Sequence, residues 1–408
     1  MGGCCIDSRR LFVGLLVVSL LTLRCFWGEP VAACPFCSAL APTISDDLES
    51  ASASVLTTCE SVREDKDGFY VYQMRVAQVI KGRPELGKSV IEVVSIEQLP
   101  SSELFWHIGY GEDSIEWVVP KPMSLEATAY LHGLLGLPDP GPERLGYFLR
   151  YLRHADDVVA TDAYNEFADA TLEEVAALSD QLDRAWVIRQ LRSATVPVHR
   201  RRLCWTFLSQ CGQQRDADLF DELLGKRADD PAFDPGLDAA IGCFMSLAGE
   251  TALDRIEHDF LGNPDASYVD TYAAVSAIRV HGTELDVFPR PRLAAALRRV
   301  LERPAIADLV IPDLARWEDW SVVHRVSELF AKATEETHFV RSSVVMYLKT
   351  CPLPEAATSL EELRKLAPET VRDAEASMRF YGGVASVPVP LPADEASSKP
   401  KAERKWTR

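Results

Sequence analysis

The chain has 408 residues, 47% hydrophobic and 25% charged, the balance of a soluble globular protein with room for two or three cores. Its formal charge of −18 argues against a nucleic-acid partner, whose phosphates demand a basic surface, and against a polybasic membrane-surface protein. Of ten cysteines, Cys4, Cys5 and Cys25 fall in the leading segment, and the other seven are too scattered for a disulfide scaffold.

Residues 1–33 have the three parts of a secretory signal. Arg9 and Arg10 form the positive region, Leu11 to Leu23 the apolar run, and Val31 and Ala33 the small-residue site before Cys34. At 1.5 Å per residue the run is short for a membrane span, so a cleaved signal is expected, with a retained anchor as the alternative. "SRRLFV" resembles a twin-arginine signal, while the strongly apolar run suits the general secretory route. "VAAC" resembles a lipoprotein box, which leaves a lipid-anchored form open; "RCFWGEP" separates it from the apolar run.

The mature start carries "CPFC", Cys34 to Cys37. A catalytic thiol pair of this spacing needs a helix N-terminus directly after a buried strand, and no strand precedes Cys34. Zinc needs two further ligands and only Cys59 is near, while a c-type haem needs a histidine where Ser38 stands. A structural bridge from Cys34 or Cys37 to Cys59 is the reading preferred, with no cofactor and no metal; a thiol–disulfide oxidoreductase using Cys34 and Cys37 is the alternative.

From Ser52 to Pro120 the pattern is β. "GFYVYQMRVAQVIKG" alternates with period two, and "SASVLTTC", "SVIEVVS", "ELFWHI" and "SIEWVV" make four more short strands. Five strands in this span predict a small barrel or sandwich. The leading cysteines, "LESASASVLTTC" and the long strand into "VIKG" are similar to netrin-like domains, the OB-type barrels of tissue inhibitors of metalloproteinases and complement proteins. That resemblance covers residues 34–120 and implies the fold, with the N-terminal cysteines tying the leading segment to the barrel. It does not bring the inhibitory activity with it.

"LPDPGPE" marks the boundary between a β-domain at 34–135 and a helical region at 142–383. "TLEEVAALSDQL" opens with a capping box, Thr171 with Glu174. Apolar helices such as "RRLCWTFLSQCG" and "AAIGCFMSLAGE" then alternate with charged amphipathic ones such as "DADLFDELLGKR". This alternation over residues 195–367 resembles HEAT-type repeats, which implies an α-solenoid, with an irregular bundle as the alternative. The fold class expected is therefore multidomain α+β, a small OB-like barrel followed by a HEAT-like solenoid. A disordered tail is expected over 384–408. The whole order, with "ERLGYFLRYLRHADDVVATDAYNEFADA", is similar to that of exported bacterial proteins in which CPFC leads a β-domain and a HEAT-like half. That resemblance brings no activity.

Candidate side chains are few. His154, Asp156, Asp157, Asp162 and Glu166 form an acidic cluster; Asp162 and Glu166 share a helix face, read as a solvated face or a first-turn dipole complement, with metal binding or acid–base work as the alternative. In "DLARWEDW", Asp313, Arg316 and Asp319 are read as cross-links between repeats, and Trp317 and Trp320 as a binding platform or as core. Cys204 and Cys211 are too far apart on one helix to bridge, so they read as buried thiols, with a Cys211–Cys243 bridge as the alternative. No Gly-rich phosphate loop, nucleophile elbow or zinc helix motif is present. The function expected is that of an exported, extracytoplasmic binding or scaffold protein, not an enzyme, whose partner is another protein.

Overall fold

A computed structural model of the chain describes residues 35–111 and 114–381. The signal expected over 1–33, Cys34 and the tail expected at 384–408 lie outside the described residues. The fold is mixed: an antiparallel sheet in the N-terminal region is followed by helices.

A short helix, α1 (Ile44–Ser50), precedes the sheet. Its capping box joins Thr43 and Asp46, each side chain accepting from the other's backbone N–H. The strands are β1 (Ala53–Glu64), β2 (Tyr70–Lys81), β3 (Val90–Ser95), β4 (Leu104–Tyr110), β5 (Glu116–Trp117) and β6 (Lys121–Met123). All five expected strands are found, and β6 is an addition too short to leave a periodic signal. The order is β3-β2-β1-β4-β5, all antiparallel, with β6 also pairing with β4. Val55, Tyr72, Met74, Ile91, Val93 and Phe105 form the core of the sheet. The alternation read from β2 holds for Tyr72, Met74 and Val76, but Val71 on the other face is buried too.

His107 of β4 lies wholly buried, its ring edge-on to Trp117 at 6.2 Å between centroids. Burial pushes its pKa down to about 4, so at neutral pH it is an uncharged core side chain.

The helices follow in chain order: α2 (Leu125–Leu134), α3 (Pro142–Leu149), α4 (Asp157–Asp169), α5 (Leu172–Ala176), α6 (Arg184–Arg192), α7 (Val198–Cys211), α8 (Asp218–Asp229), α9 (Leu237–Ala248) and α10 (Glu250–Ile256). A π-helical turn (Glu257–Leu261) leads to α11 (Tyr268–Thr283), α12 (Arg290–Arg298), α13 (Ile311–Arg316), α14 (Val323–Lys332), α15 (Val340–Thr350), α16 (Pro354–Leu366) and α17 (Pro368–Tyr381). The capping box read at Thr171 and Glu174 is formed. The helix α13 is short because Pro312, in its first turn, has no N–H to continue a helix from the preceding 3₁₀ segment. It closes with a Schellman pair, Asp319 N to Leu314 O at 2.8 Å and Glu318 N to Ala315 O at 3.1 Å, which holds Glu318 at φ 57°.

Two compact units divide the chain. One comprises residues up to 256 with 276–287, and so includes the sheet and the helices to α10; the other comprises 257–275 and the residues from 288 onward. Within each, helices pack on their second as well as their next neighbour in sequence, as α7 does on α9, α14 on α16 and α15 on α17. Ion pairs link the helices at a recurring separation: Arg184–Asp216 spans 32 residues, Arg192–Glu222 30, Arg202–Asp238 36, Asp221–Arg255 34 and Glu257–Arg292 35.

Candidate functional site

The helix α4, "DVVATDAYNEFAD", has an apolar side and a polar one, and it buries residues of both: Val159, Ala163, Phe167 and Ala168 of the first, Asp162 and Asn165 of the second. Asp156 caps it, accepting from Val158 N at 2.9 Å and Val159 N at 3.3 Å. The remaining polar residues, Asp162, Asn165 and Glu166, form one stripe by helical spacing. A protein core tolerates such a stripe only if each group finds a partner. The partner is the segment directly behind CPFC. Asn165 Oδ1 accepts from Leu40 N at 2.9 Å, and Asp162 Oδ1 from Ile44 N at 2.7 Å. Glu166 Oε1 accepts from Ser45 Oγ at 2.6 Å, and Tyr164 donates its hydroxyl to Ser38 O at 3.1 Å. Residues 38–45 are thus a strap held along α4.

Two further side chains complete the site. Tyr130 of α2 donates to Asp162 Oδ2 at 2.8 Å. Arg144 of α3 donates to Ser45 Oγ at 2.7 Å and forms an ion pair with Glu166 at 3.8 Å. Burial pushes Asp162 up to about 6, against the pull of the Ile44 and Tyr130 hydrogen bonds. Burial, with Asp162 one turn away, pushes Glu166 up to about 7. Beside them opens a cleft of about 240 Å³ whose polar lining includes Ser45, Asp46, Glu49, Arg144, Glu166 and Asp169.

The solvated reading of Asp162 and Glu166 is therefore corrected. Asp162 is 5% exposed, because the face it shares with Glu166 is covered by the strap and not by water. The rest of the acidic cluster separates from it: Asp156 is the cap, His154 Nδ1 accepts from Asp156 N at 3.1 Å, and Asp157 is exposed 3.8 Å from Arg200. No local signal distinguished the buried pair, since Asp157, Thr161, Asp162, Asn165, Glu166 and Asp169 give α4 the polar side of an ordinary surface helix.

The CPFC is placed by its phenylalanine. Phe36 is 7% exposed and lies against α9, where a Cβ on Gly242 would come within 2.7 Å of its ring. Gly242 O in turn meets His281 Nε2 at 2.9 Å. Cys37 is half-buried, and Cys34 lies outside the described residues. Cys59 sits exposed on β1, its Sγ 3.7 Å from Ser61 O and unbridged to any described cysteine; the expected bridge from Cys34 involves a residue outside the described ones. Residues 36–45 are fastened to helices by packing and hydrogen bonds.

The other candidates are dispersed. Cys204, Cys211 and Cys243 are unbridged, which excludes the Cys211–Cys243 bridge in this structure; burial pushes the Cys204 thiol up to about 12. Asp319 accepts from Arg298 Nε at 2.7 Å and Nη2 at 3.0 Å, whereas Arg316 pairs within its own helix with Asp313 at 2.7 Å. Trp317 and Trp320 are both half-buried, with Trp320 edge-on to Tyr347 at 5.3 Å. No group of three or more His, Cys, Asp or Glu among the described residues is placed to hold a metal ion. No described helix is long and apolar enough to cross a membrane. No protein-family model, curated protein or solved structure matches this chain.

Proposed function

We propose that this chain is an exported, non-catalytic binding or scaffold protein that meets another protein through its helices. The observation that carries this reading is the strap: one helix holds the run that leads into α1 through that run's own backbone, at Ser38, Leu40 and the first residue of α1, Ile44. Side-chain groups that read backbone are how a helical surface holds an extended peptide without covalent chemistry. We further read the helices as HEAT-like hairpins stacked into a solenoid, supported by next-but-one packing and by ion pairs recurring at 30 to 36 residues. The sheet is read as an OB-like barrel with β1 at its centre, pairing on both sides with β2 and β4.

The oxidoreductase alternative asks for a helix that begins at the CPFC motif and runs on from Cys37. Residues 37–43 have no helix, and α1 begins at Ile44, which speaks for a structural CPFC. The test uses the exported full chain with photo-crosslinking residues at exposed positions of the helices and, separately, of β2 and β3. Crosslinks to a protein partner should come from helix positions, and no insulin-reducing turnover should be detected. Turnover that Cys34→Ser with Cys37→Ser abolishes at unchanged melting temperature overturns the non-catalytic reading. Crosslinks from the sheet alone overturn the helical surface.

A further inference from the structure

We infer that a second cleft, between α3 and the turn before α6, binds the phosphate group of a small phosphomonoester. Such a ligand is distinct from the protein partner proposed for the helices, and its site does not depend on that partner. The cleft has a volume of about 560 Å³ and is lined by Gly146, Leu149, Arg150, Arg153 and Gln181. That lining holds two guanidiniums and a carboxamide, and no carboxylate. The chain as a whole has 61 acidic residues against 43 basic ones, so a cleft of this composition runs against the charge of the molecule that carries it.

Both arginines are positioned by aromatic faces, which orient a guanidinium without using up its donors. Arg150, exposed just after α3, lies over the ring of Tyr147 at 5.1 Å and forms no hydrogen bond or ion pair with a described residue. Tyr147 is itself fixed among Tyr130, Phe148 and Tyr151, at 5.9, 5.4 and 4.8 Å between ring centroids. Arg153 lies over Trp186 of α6 at 4.3 Å and gives Nη1 to Asp183 Oδ2 at 3.2 Å. Asp183 is also the cap of α6, accepting from Trp186 N at 3.0 Å. One nitrogen of Arg153 is thereby anchored, and Nε and Nη2 remain for a ligand. Gln181, the last residue of a 3₁₀ turn (Ser179–Gln181), brings a carboxamide with no described hydrogen-bond partner.

Gly146 is a residue that packing does not explain. It stands inside α3, where glycine weakens a helix relative to alanine. A Cβ there would meet only Leu178 at 3.6 Å and the Gln181 carboxamide at 3.7 Å, ordinary van der Waals contact. The neighbouring elements do not require glycine at this position, whereas an open cleft floor does. The donors select the anion. A carboxylate has one charge and two oxygens, which a single guanidinium fork satisfies. Two guanidiniums and a carboxamide N–H suit a phosphate monoester, with nearly two charges and three acceptor oxygens. The cleft is also larger than a phosphate group, and Leu149 gives the ester's organic part an apolar wall.

The experiment is isothermal titration calorimetry of the full chain at pH 7.5 and low salt, with phenyl phosphate, inorganic phosphate and benzoate as probes. Phenyl phosphate should bind with a Kd below about 1 mM, and benzoate at least about ten-fold more weakly. Inorganic phosphate should bind more weakly than the ester; equal affinity overturns the monoester assignment in favour of the free ion. Arg150→Gln and Arg153→Gln should each weaken phenyl phosphate about ten- to hundred-fold, the loss of a charge-assisted bond. Arg372→Gln, exposed on α17, should leave the affinity unchanged. Gly146→Leu should fill the floor and abolish binding at the parent's melting temperature; if that variant does not fold, the two exposed arginines decide. No binding by the parent, benzoate bound as tightly as the ester, or unchanged affinity in both Arg150→Gln and Arg153→Gln overturns the site. So does an equal loss in Arg372→Gln, which would make the attraction one of overall charge.

Discussion

Phe36 shows how one side chain can decide where a whole segment lies. Its ring fills the space that a side chain at position 242 would need, so glycine on α9 is a condition of the strap's docking. Gly242→Ala should therefore destabilise the protein by about 1–3 kcal/mol, the usual cost of forcing atoms into a packed core. The same substitution in a Phe36→Ala background should be neutral or stabilising by up to about 1 kcal/mol, because alanine is the better helix former. Urea denaturation of the four proteins of this cycle gives the coupling. If Gly242→Ala costs the same in both backgrounds, the ring is not what makes glycine necessary. Phe36 was legible in the sequence only as the variable position of a cysteine motif, and nothing within ten residues of it announces α9.

At the scale of elements, arginines set the ends and turns of the helices. Arg303 is the clearest case: its guanidinium donates to Phe260 O at 3.0 Å, Thr271 Oγ1 at 2.8 Å and Ala266 O at 2.7 Å. Those acceptors belong to the π-helical turn, the loop after it and the start of α11, so one fork-shaped side chain fixes three consecutive pieces of chain. Arg303→Met should cost about 2–3 kcal/mol, since it leaves partly buried acceptors without a donor. Arg303→Lys should recover little of this, because a single ammonium cannot reach three directions at once. Recovery to the parent's denaturation midpoint by lysine would refute the fork argument. The helices flanking this turn were legible from their apolar spacing. The π turn was not, because it depends on what Arg303 holds and not on local propensity.

At the scale of the whole molecule, the Pro/Gly boundary at "LPDPGPE" separates two kinds of secondary structure but not two compact bodies. The compact unit that contains the sheet continues through α10, and the strap and Tyr130 on one side of the boundary satisfy Asp162, Asn165 and Glu166 on the other. A fragment starting at Pro142 should therefore remain helical by circular dichroism yet begin to melt at least about 5 °C below the full chain, consistent with a loss of a few kcal/mol from its first helices. A fragment that melts with the full chain would make the strap dispensable to those helices.

The sequence by itself determined the kinds of element and most of their places. Period two marked β2, short apolar runs the other strands, helical spacing the helices, and the box of Thr171 and Glu174 the start of α5. These signals are short-range, carried by residues within a turn or a pleat of one another, and so they survive reading without a fold. The tertiary structure alone decided what the strap is and what lies beneath it. The bonds from Ile44 to Asp162, Ser45 to Glu166 and Leu40 to Asn165 span 118, 121 and 125 residues, and no local pattern encodes such a pairing. Spacing showed that Asp162 and Glu166 share a face. Whether that face meets water or chain is set by burial, and burial is what moves their protons into the neutral range.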